Sequence, residues 1–177
     1  SSLNRLEANV QFSQTAVGDR WLSKTLKGDT RSVLGVEDSG HLVMSAPHPN
    51  GGRCLVGDGA ASLLAVLCAM ACEERANPFT KGFKQRVSIK DSNRSLWTGD
   101  NELADSIEHI ANLKLGALTR HGLVGENNLM LLEKEGVSIG IRNSGTQAKT
   151  NVSLRLAPGV ETSTMIELTE QIVASLK

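Results

Sequence analysis

Aliphatic residues occupy every second position in two runs near the carboxyl end of the chain, 137–142 and 151–156. Polar residues and glycine fill the positions between them. A period of two is typical of β-strands with one buried face. The pattern therefore predicts two neighbouring strands joined by a polar turn.

Apolar residues spaced three or four positions apart predict helices elsewhere. The predicted helices are, in chain order, 17–26, 57–75, 100–115 and 162–176. Asp58 is a natural N-cap for the second, and Thr164 with Glu167 match a capping box for the last. Further strands are predicted at 31–36, 42–44, 85–89, 118–124 and 128–133. The stretch 46–56, with two prolines and two adjacent glycines, is predicted to be a loop.

The second helix is apolar almost all round from residue 60 to 72. Such a helix is expected to be covered on both sides in a layered α/β body, with Cys68 and Cys72 as small buried hydrophobes. Asn77-Pro78 breaks it, so a domain boundary is predicted between 77 and 83. The predicted fold is an α/β domain at 1–77 followed by an α+β two-layer domain at 83–177, with an antiparallel sheet and two helices.

Composition excludes some classes of partner. The 177 residues carry 19 basic and 19 acidic side chains, and aromatic residues are scarce, so neither nucleic acid nor a membrane surface is expected as a partner. The apolar runs are too short to span a bilayer, and three cysteines without metal spacing suit a reducing cytoplasm. A local basic cluster is predicted to be a solvated strand face: Lys81, Lys84, Arg86, Lys90 and Arg94.

The turn between the two alternating runs carries chemistry suited to an anion. Arg142 has a planar fork that matches phosphate oxygens in pairs, and Lys149 adds a point charge. Ser144 and Thr146 offer hydroxyls, and Gly145 tolerates the φ values that a concave nest of amide N–H groups needs. An ordinary polar hairpin loop remains an equal alternative on residue types alone.

A second polar turn lies at Gly35–His41. Glu37 and Asp38 can each accept two hydrogens from sugar hydroxyls, Ser39 can donate or accept, and His41 lies beside them, so a polyol ligand is plausible. A solvated β-turn is an equal alternative. A metal site is disfavoured because two adjacent carboxylates and one imidazole are too few ligands.

These stretches resemble the α-D-phosphohexomutase superfamily, which contains the phosphoglucomutases and phosphomannomutases. Residues 142–146, Arg-Asn-Ser-Gly-Thr, resemble its phosphate-binding loop, Arg-Pro-Ser-Gly-Thr-Glu-Pro. Residues 35–41, Gly-Val-Glu-Asp-Ser-Gly-His, resemble its sugar-specificity loop, Gly-Glu-x-Ser-Gly-His, with one residue inserted. Residues 17–21 and 57–59 resemble the starts of two helices of its third domain. The resemblance covers nearly the whole chain, as the carboxyl-terminal part of an incomplete third domain followed by the fourth.

The resemblance implies roles for individual residues. Glu37 and Ser39 would bind the sugar, with His41 shaping that loop. The residues expected to bind the substrate phosphate are Arg142, Ser144, Gly145, Thr146 and Lys149. Asn143 and Ala148 replace prolines of the usual pattern, which predicts a less rigid loop. Gln147 replaces a glutamate, and Ala16 stands where many members carry a lysine that reaches the substrate.

Members of this family also use a phosphoserine and a Mg²⁺ loop, and neither motif is found in this sequence. The chain alone is therefore expected to lack catalytic residues, a metal site and a cofactor of its own, and to be inactive as an enzyme. The expected partners are a hexose phosphate, nearest the glucose or mannose type, and the amino-terminal catalytic domains of such an enzyme. Two alternatives stay open: a stand-alone phosphosugar-binding module, and a subunit that completes a mutase in trans. The apolar helix predicts exposed apolar surface or self-association.

Overall fold

The structure, a computed structural model, divides into two compact units. It describes residues 12–28, 34–37, 40–72, 82–145 and 147–177. One unit lies within Ser13–Asn77 and the other contains Pro78–Lys177. The predicted boundary at 77–83 lies almost wholly outside the described residues.

The first unit combines two helices with a three-stranded antiparallel sheet of order β1-β2-β3. Its elements are α1 (Asp19–Gly28), β1 (Leu34–Val36), β2 (Leu42–Pro47), β3 (Arg53–Val56) and α2 (Gly59–Cys72). The prediction of a loop over 46–56 was wrong, because β3 and the end of β2 occupy most of it. Pro47 is the last residue of β2, and only Pro49, Gly51 and Gly52 lie in the turn. There His48 N–H donates to Gly52 O at 3.1 Å and Gly51 N–H donates to His48 O at 2.9 Å.

The core of the first unit is small. Leu22 and Leu26, one helical turn apart on α1, pack with Val43 of β2 and the partly buried Leu55 of β3. Gly35 lets the helix approach the sheet, since a Cβ there would lie 3.0 Å from Leu22 Cβ. Val17, the first residue of the predicted helix, precedes α1 and is 55% exposed.

Helix α2 begins as predicted, because Asp58 Oδ1 accepts the N–H of Ala61 at 2.8 Å. The prediction that the helix is covered on both sides was wrong. Its exposed large side chains are Leu63, Leu64, Val66, Leu67 and Met70. Cys68 is also exposed, which corrects its prediction as a buried hydrophobe. The predicted exposed apolar surface is therefore present.

The second unit is a five-stranded antiparallel sheet of order β4-β8-β7-β6-β5 with two helices. Its elements are β4 (Phe83–Lys90), α3 (Glu102–Leu115), β5 (Thr119–Leu123), β6 (Glu126–Lys134), β7 (Val137–Asn143), β8 (Lys149–Leu156) and α4 (Ser163–Ser175). A short 3-10 turn, Arg94–Leu96, follows β4. The strand and helix predictions for this unit are confirmed, as is the fold class of an α/β unit followed by an α+β sheet unit.

The alternating pattern explains the core of the second unit. Ile139 and Ile141 of β7 and Val152 and Leu154 of β8 are fully buried, and they share one cluster with residues of both helices, such as Leu168. The residues between them face the other side of the sheet, which we call the outer face. On β4 the outer face carries the exposed Lys84, Arg86 and Lys90, which agrees with the predicted solvated strand face for these three residues. Of the other two cations predicted there, Arg94 lies in the 3-10 turn and Lys81 lies outside the described residues.

A polar side chain caps α3 but not α4, and an ion pair joins the two helices. Asn101 caps α3 by accepting the N–H of Ala104 at 3.3 Å. The predicted capping box of α4 was wrong, since the N-cap is Thr162 without a side-chain bond, and Glu167 pairs instead with Lys114 at 3.3 Å.

Arg120 of β5 ties the sheet to α3. Its Nη1 lies 2.6 Å from Asp105 Oδ1 and 3.0 Å from Glu108 Oε2, and its Nη2 donates to Gly99 O at 2.8 Å. The hydrogen bond to Asp105 is the main cause of a raised pKa of Arg120. This arginine is therefore a structural clamp.

Candidate functional site

The turn between β7 and β8 is closed by its own backbone. The N–H of Ser144 donates to Lys149 O at 2.8 Å, and the N–H of Lys149 donates to Gln147 O at 2.8 Å. The N–H of Gln147 donates to the Ser144 hydroxyl at 3.3 Å. Three of the amides expected to face an anion are therefore used inside the turn, and an incoming phosphate meets a smaller set of donors.

The other residues of the turn that were expected to bind phosphate differ in conformation and in exposure. Gly145 is exposed, but its φ lies outside the left-handed region, so the nest argued from that angle is not formed in this conformation. Ser144 is nearly buried, at 7% exposure. Thr146 lies outside the described residues. Lys149 is half-buried at the start of β8.

Asn143 anchors the base of the turn. Its side-chain Nδ2 donates to the carbonyls of Arg94 at 2.9 Å and Trp97 at 2.7 Å, and its Oδ1 accepts from the hydroxyl of Thr150 at 2.8 Å. The Thr150 hydroxyl also lies 2.9 Å from that of Ser92. A buried amide with all these partners holds both ends of the turn against the segment 92–97. The reduced rigidity inferred from the missing proline stays a prediction, with this anchor opposing it.

The guanidinium of Arg142, which was expected to bind phosphate, is held in an ion pair. Its Nη1 donates to Glu126 Oε1 at 2.9 Å, and the two side chains are only 24% and 14% exposed. The pair joins the end of β7 to the start of β6. A phosphate must therefore share Arg142 with a carboxylate or displace it, because bidentate capture uses two guanidinium nitrogens.

The predicted sugar loop is folded back on the start of α1. The N–H of Glu37 donates to His41 O at 2.9 Å, and the N–H of Gly40 donates to Glu37 O at 3.0 Å, which closes the turn. The Glu37 carboxylate accepts the N–H of Gly18, and His41 Nδ1 lies 3.1 Å from Asp19 Oδ1. Ser39 and Asp38 lie outside the described residues.

Sequence reasoning missed Asp19 as a neighbour of the sugar loop, although the segment 17–21 had been noted as a helix start. Asp19, Glu37 and His41 form the one group in the described part of the chain whose ligand atoms could surround a metal ion. The group does not fit Mg²⁺, because it includes an imidazole and the Glu37 carboxylate already accepts a backbone N–H. The Mg²⁺ implied for enzymes of this kind has no matching donor set here among the described residues.

Comparison with known protein families gives a match for the first part of the chain. Residues 5–88 match the family model described as phosphoglucomutase/phosphomannomutase, alpha/beta/alpha domain III. Residues 5–88, just under half of the chain, belong to the phosphoglucomutase/phosphomannomutase superfamily. The match contains the sugar loop and both helices of the first unit, and it ends within β4. No curated protein matches the chain.

The assignment to this superfamily thus rests on residues 5–88. The turn at 142–149 lies beyond the matched residues. The match therefore assigns no role to this turn, and it does not identify the second unit as a fourth domain. Within the described ranges, no helix has both the length and the apolar character needed to cross a membrane.

Proposed function

We propose that this chain recognises a hexose phosphate, as the phosphosugar-binding part of a phosphoglucomutase/phosphomannomutase-type system. The observation that carries the proposal is the family match across the sugar loop at 35–41. The anchored polar turn of the second unit supports it, since β7 and β8 present Arg142, Ser144 and Lys149 around one short turn.

In this proposal a phosphate group is bound at the turn of the second unit, by Arg142, Ser144, Gly145, Thr146 and Lys149. A phosphate monoester near neutral pH carries about −1.5 to −2 charges, so it competes well with the single carboxylate of Glu126 for Arg142. The compact, backbone-closed turn keeps these groups close together before ligand arrives, which lowers the ordering cost of binding.

Sugar hydroxyls would be bound by residues of the first unit, Glu37, Ser39 and His41. The hydrogen bond from Gly18 to the Glu37 carboxylate holds that side chain in place, and a carboxylate has two oxygens that can accept more than one hydrogen bond. The contact between Asp19 and His41 orients the imidazole ring in the same way. No preference between glucose and mannose phosphates is assigned.

The chain is proposed to bind phosphosugar without turning it over by itself. Phosphoryl transfer depends on a phosphoryl donor and on positive charge around the transferring oxygens. In the parent family the phosphoserine and Mg²⁺ supply these, and the proposal assigns them to amino-terminal catalytic domains and not to this chain. The proposed location is the cytoplasm.

Replacing Arg142 tests the proposal directly. Charge-assisted hydrogen bonds contribute on the order of 1.5–3 kcal/mol each, so Arg142→Ala is expected to weaken glucose 1-phosphate binding about tenfold or more. Isothermal calorimetry at fixed ionic strength measures this. Arg86→Ala is the matched control, because Arg86 is an exposed arginine on the outer face of β4. Equal affinity of the wild type and Arg142→Ala would overturn the proposed role.

The ion pair with Glu126 gives a second test of opposite sign. Glu126→Gln removes the competing charge but keeps the side-chain size, so it is expected to strengthen glucose 1-phosphate binding by about threefold. The double variant Arg142→Ala/Glu126→Gln should lose this gain. A gain that persists in the double variant would show that Arg142 does not mediate the effect.

Two alternative roles are separated by complementation. The chain can be mixed with an amino-terminal portion of a phosphoglucomutase that carries the serine and metal loops, and mutase activity measured. Activity only in the mixture favours a subunit acting in trans. Hexose phosphate binding without activity in any mixture favours a stand-alone binding module.

A further inference from the structure

Two lysines face each other where the polar turn joins the sheet. Lys90, the last residue of β4, is the register partner of Lys149, the first residue of β8. Directly opposed residues of antiparallel strands point to the same face of the sheet, with Cβ atoms about 4.5–5.5 Å apart. Two ammonium groups are thus attached side by side on the outer face.

This arrangement is unfavourable without an anion. Like charges directly opposite each other destabilise a pair of strands. In the described part of the chain, no carboxylate lies within ion-pair distance of either Lys90 or Lys149. The nearby Arg142 does carry a carboxylate partner, Glu126. Lys90 and Lys149 are therefore a directly opposed pair of cations that no carboxylate of the described residues neutralises.

Other cations on the same two strands differ. Arg86 lies opposite Ser153, which is neutral. Lys84 lies opposite Arg155, but each of those residues has a partner of its own. Lys90 and Lys149 lie at the end of these strands next to the turn. Within the described ranges, they are the one opposed pair of cations on the two strands in which neither side chain has an ion-pair partner.

The turn itself holds the two lysines in place. Lys149 takes part in the turn through its N–H and its carbonyl, which bond to Gln147 and Ser144. Just beyond Lys90, the hydroxyl of Ser92 contacts Thr150. The anchored backbone on both strands fixes the spacing of the two Cα atoms, so both lysine side chains start from neighbouring positions in advance of binding.

From this geometry we propose that Lys90 and Lys149 together bind one phosphate dianion on the outer face, with Lys90 as a ligand-binding residue supplied by a different strand from the turn. The inference rests on the proposed function and extends it. Two monovalent cations match the charge of a phosphate monoester, whereas a carboxylate would neutralise only one. Arg142 then contributes in competition with Glu126, and the lysine pair provides the uncompensated charge.

The test uses Lys90→Gln in the full chain, with Arg86→Gln as the control that removes one positive charge from the same strand and face. Calorimetry with glucose 1-phosphate and with inorganic phosphate is expected to show roughly fivefold weaker binding for Lys90→Gln and little change for Arg86→Gln. Thermal unfolding in phosphate-free buffer supplies a second readout. Relief of repulsion is expected to raise the Tm of Lys90→Gln by roughly 1–3 °C, and Arg86→Gln should not raise it.

The outcomes separate the two proposals. Phosphate binding that falls in Arg142→Ala but is equal in Lys90→Gln and Arg86→Gln overturns the lysine-pair inference alone. Absence of phosphate binding by the wild type overturns both proposals. Weaker binding of Lys90→Gln with a lowered Tm would show that Lys90 acts through folding, which also overturns the inference. Weaker binding with an equal or higher Tm supports it.

Discussion

The two units of this chain differ most in how much apolar surface they bury. In the described residues of the second unit, eighteen buried side chains form one cluster around β7 and β8. The cluster of the first unit contains three, Leu22, Leu26 and Val43. Full burial of a large aliphatic side chain contributes about 1.5–3 kcal/mol, so the second unit has by far the stronger core.

The difference arises because many large apolar side chains of the first unit are exposed on α2. Helix α2 has no charged residue from Gly59 to Cys72, yet its large side chains are mostly exposed, with Met70 at 68%. In the second unit, α3 and α4 each bury one apolar face in the core cluster shared with the sheet. A fold can thus have clear secondary structure in both halves while only one of them buries its apolar surface within the described residues.

The largest expected effect is a cavity in the second core. Ile139 is fully buried, so Ile139→Ala is expected to lower the free energy of unfolding of this unit by about 2–5 kcal/mol. Leu26→Ala should lower the free energy of unfolding of the first unit by less, because the smaller cluster around Leu26 can collapse more easily into the space left behind. Urea unfolding can be followed separately for each unit through Trp97 in a Trp21→Phe background and through Trp21 in a Trp97→Phe background. Equal losses for both variants would contradict the comparison.

The next effect concerns the anchor at the base of the turn. Asn143→Ala leaves the carbonyls of Arg94 and Trp97 and the hydroxyl of Thr150 without this partner, which is expected to cost about 1–3 kcal/mol of unfolding free energy. The same urea titration, observed through Trp97, measures it. Asn151→Ala is a suitable comparison, since Asn151 is also buried on β8 but its Nδ2 has no partner. The anchor interpretation requires Asn143→Ala to be the more damaging of the two.

A third prediction uses the exposed helix. We propose that α2 covers its apolar side chains by self-association of the chain, since contiguous exposed apolar surface favours association. Leu64→Glu should then weaken association about tenfold, which sedimentation velocity over a concentration series would detect. Leu113→Glu is the matched control, because Leu113 is a similarly exposed leucine on α3 of the second unit, at 74%. A wild-type chain that stays monomeric at all concentrations would refute the proposal.

The smallest expected effect is the loss of the cap on α2. Asp58→Ala removes the acceptor of the Ala61 N–H and is expected to cost about 0.5–2 kcal/mol. The loss should appear in the Trp21 signal of the first unit and be absent from the Trp97 signal. Asp58→Asn should recover most of it, because an amide oxygen can accept the same hydrogen bond. Failure of that recovery would mean that charge, and not capping, stabilises the helix start.

Local pattern was sufficient for most of the secondary structure. The alternation in 137–142 and 151–156 identified β7 and β8 because a period of two depends only on neighbouring residues. The same reasoning failed at 46–56, where prolines and glycines conceal a hairpin whose β3 has only four residues. It also failed at Thr164 and Glu167, because a capping motif inside a helical pattern does not say at which residue the helix begins.

The sequence by itself determined most of the strands and helices and the polar turn between β7 and β8, together with a family resemblance that the comparison confirmed for residues 5–88. Only the tertiary structure decided which groups meet at those sites. Arg142 pairs with Glu126 across 16 positions, His41 meets Asp19 across 22, and Asn143 reaches Arg94 across 49. Such contacts depend on sheet order and loop packing, and no local period in the chain encodes them.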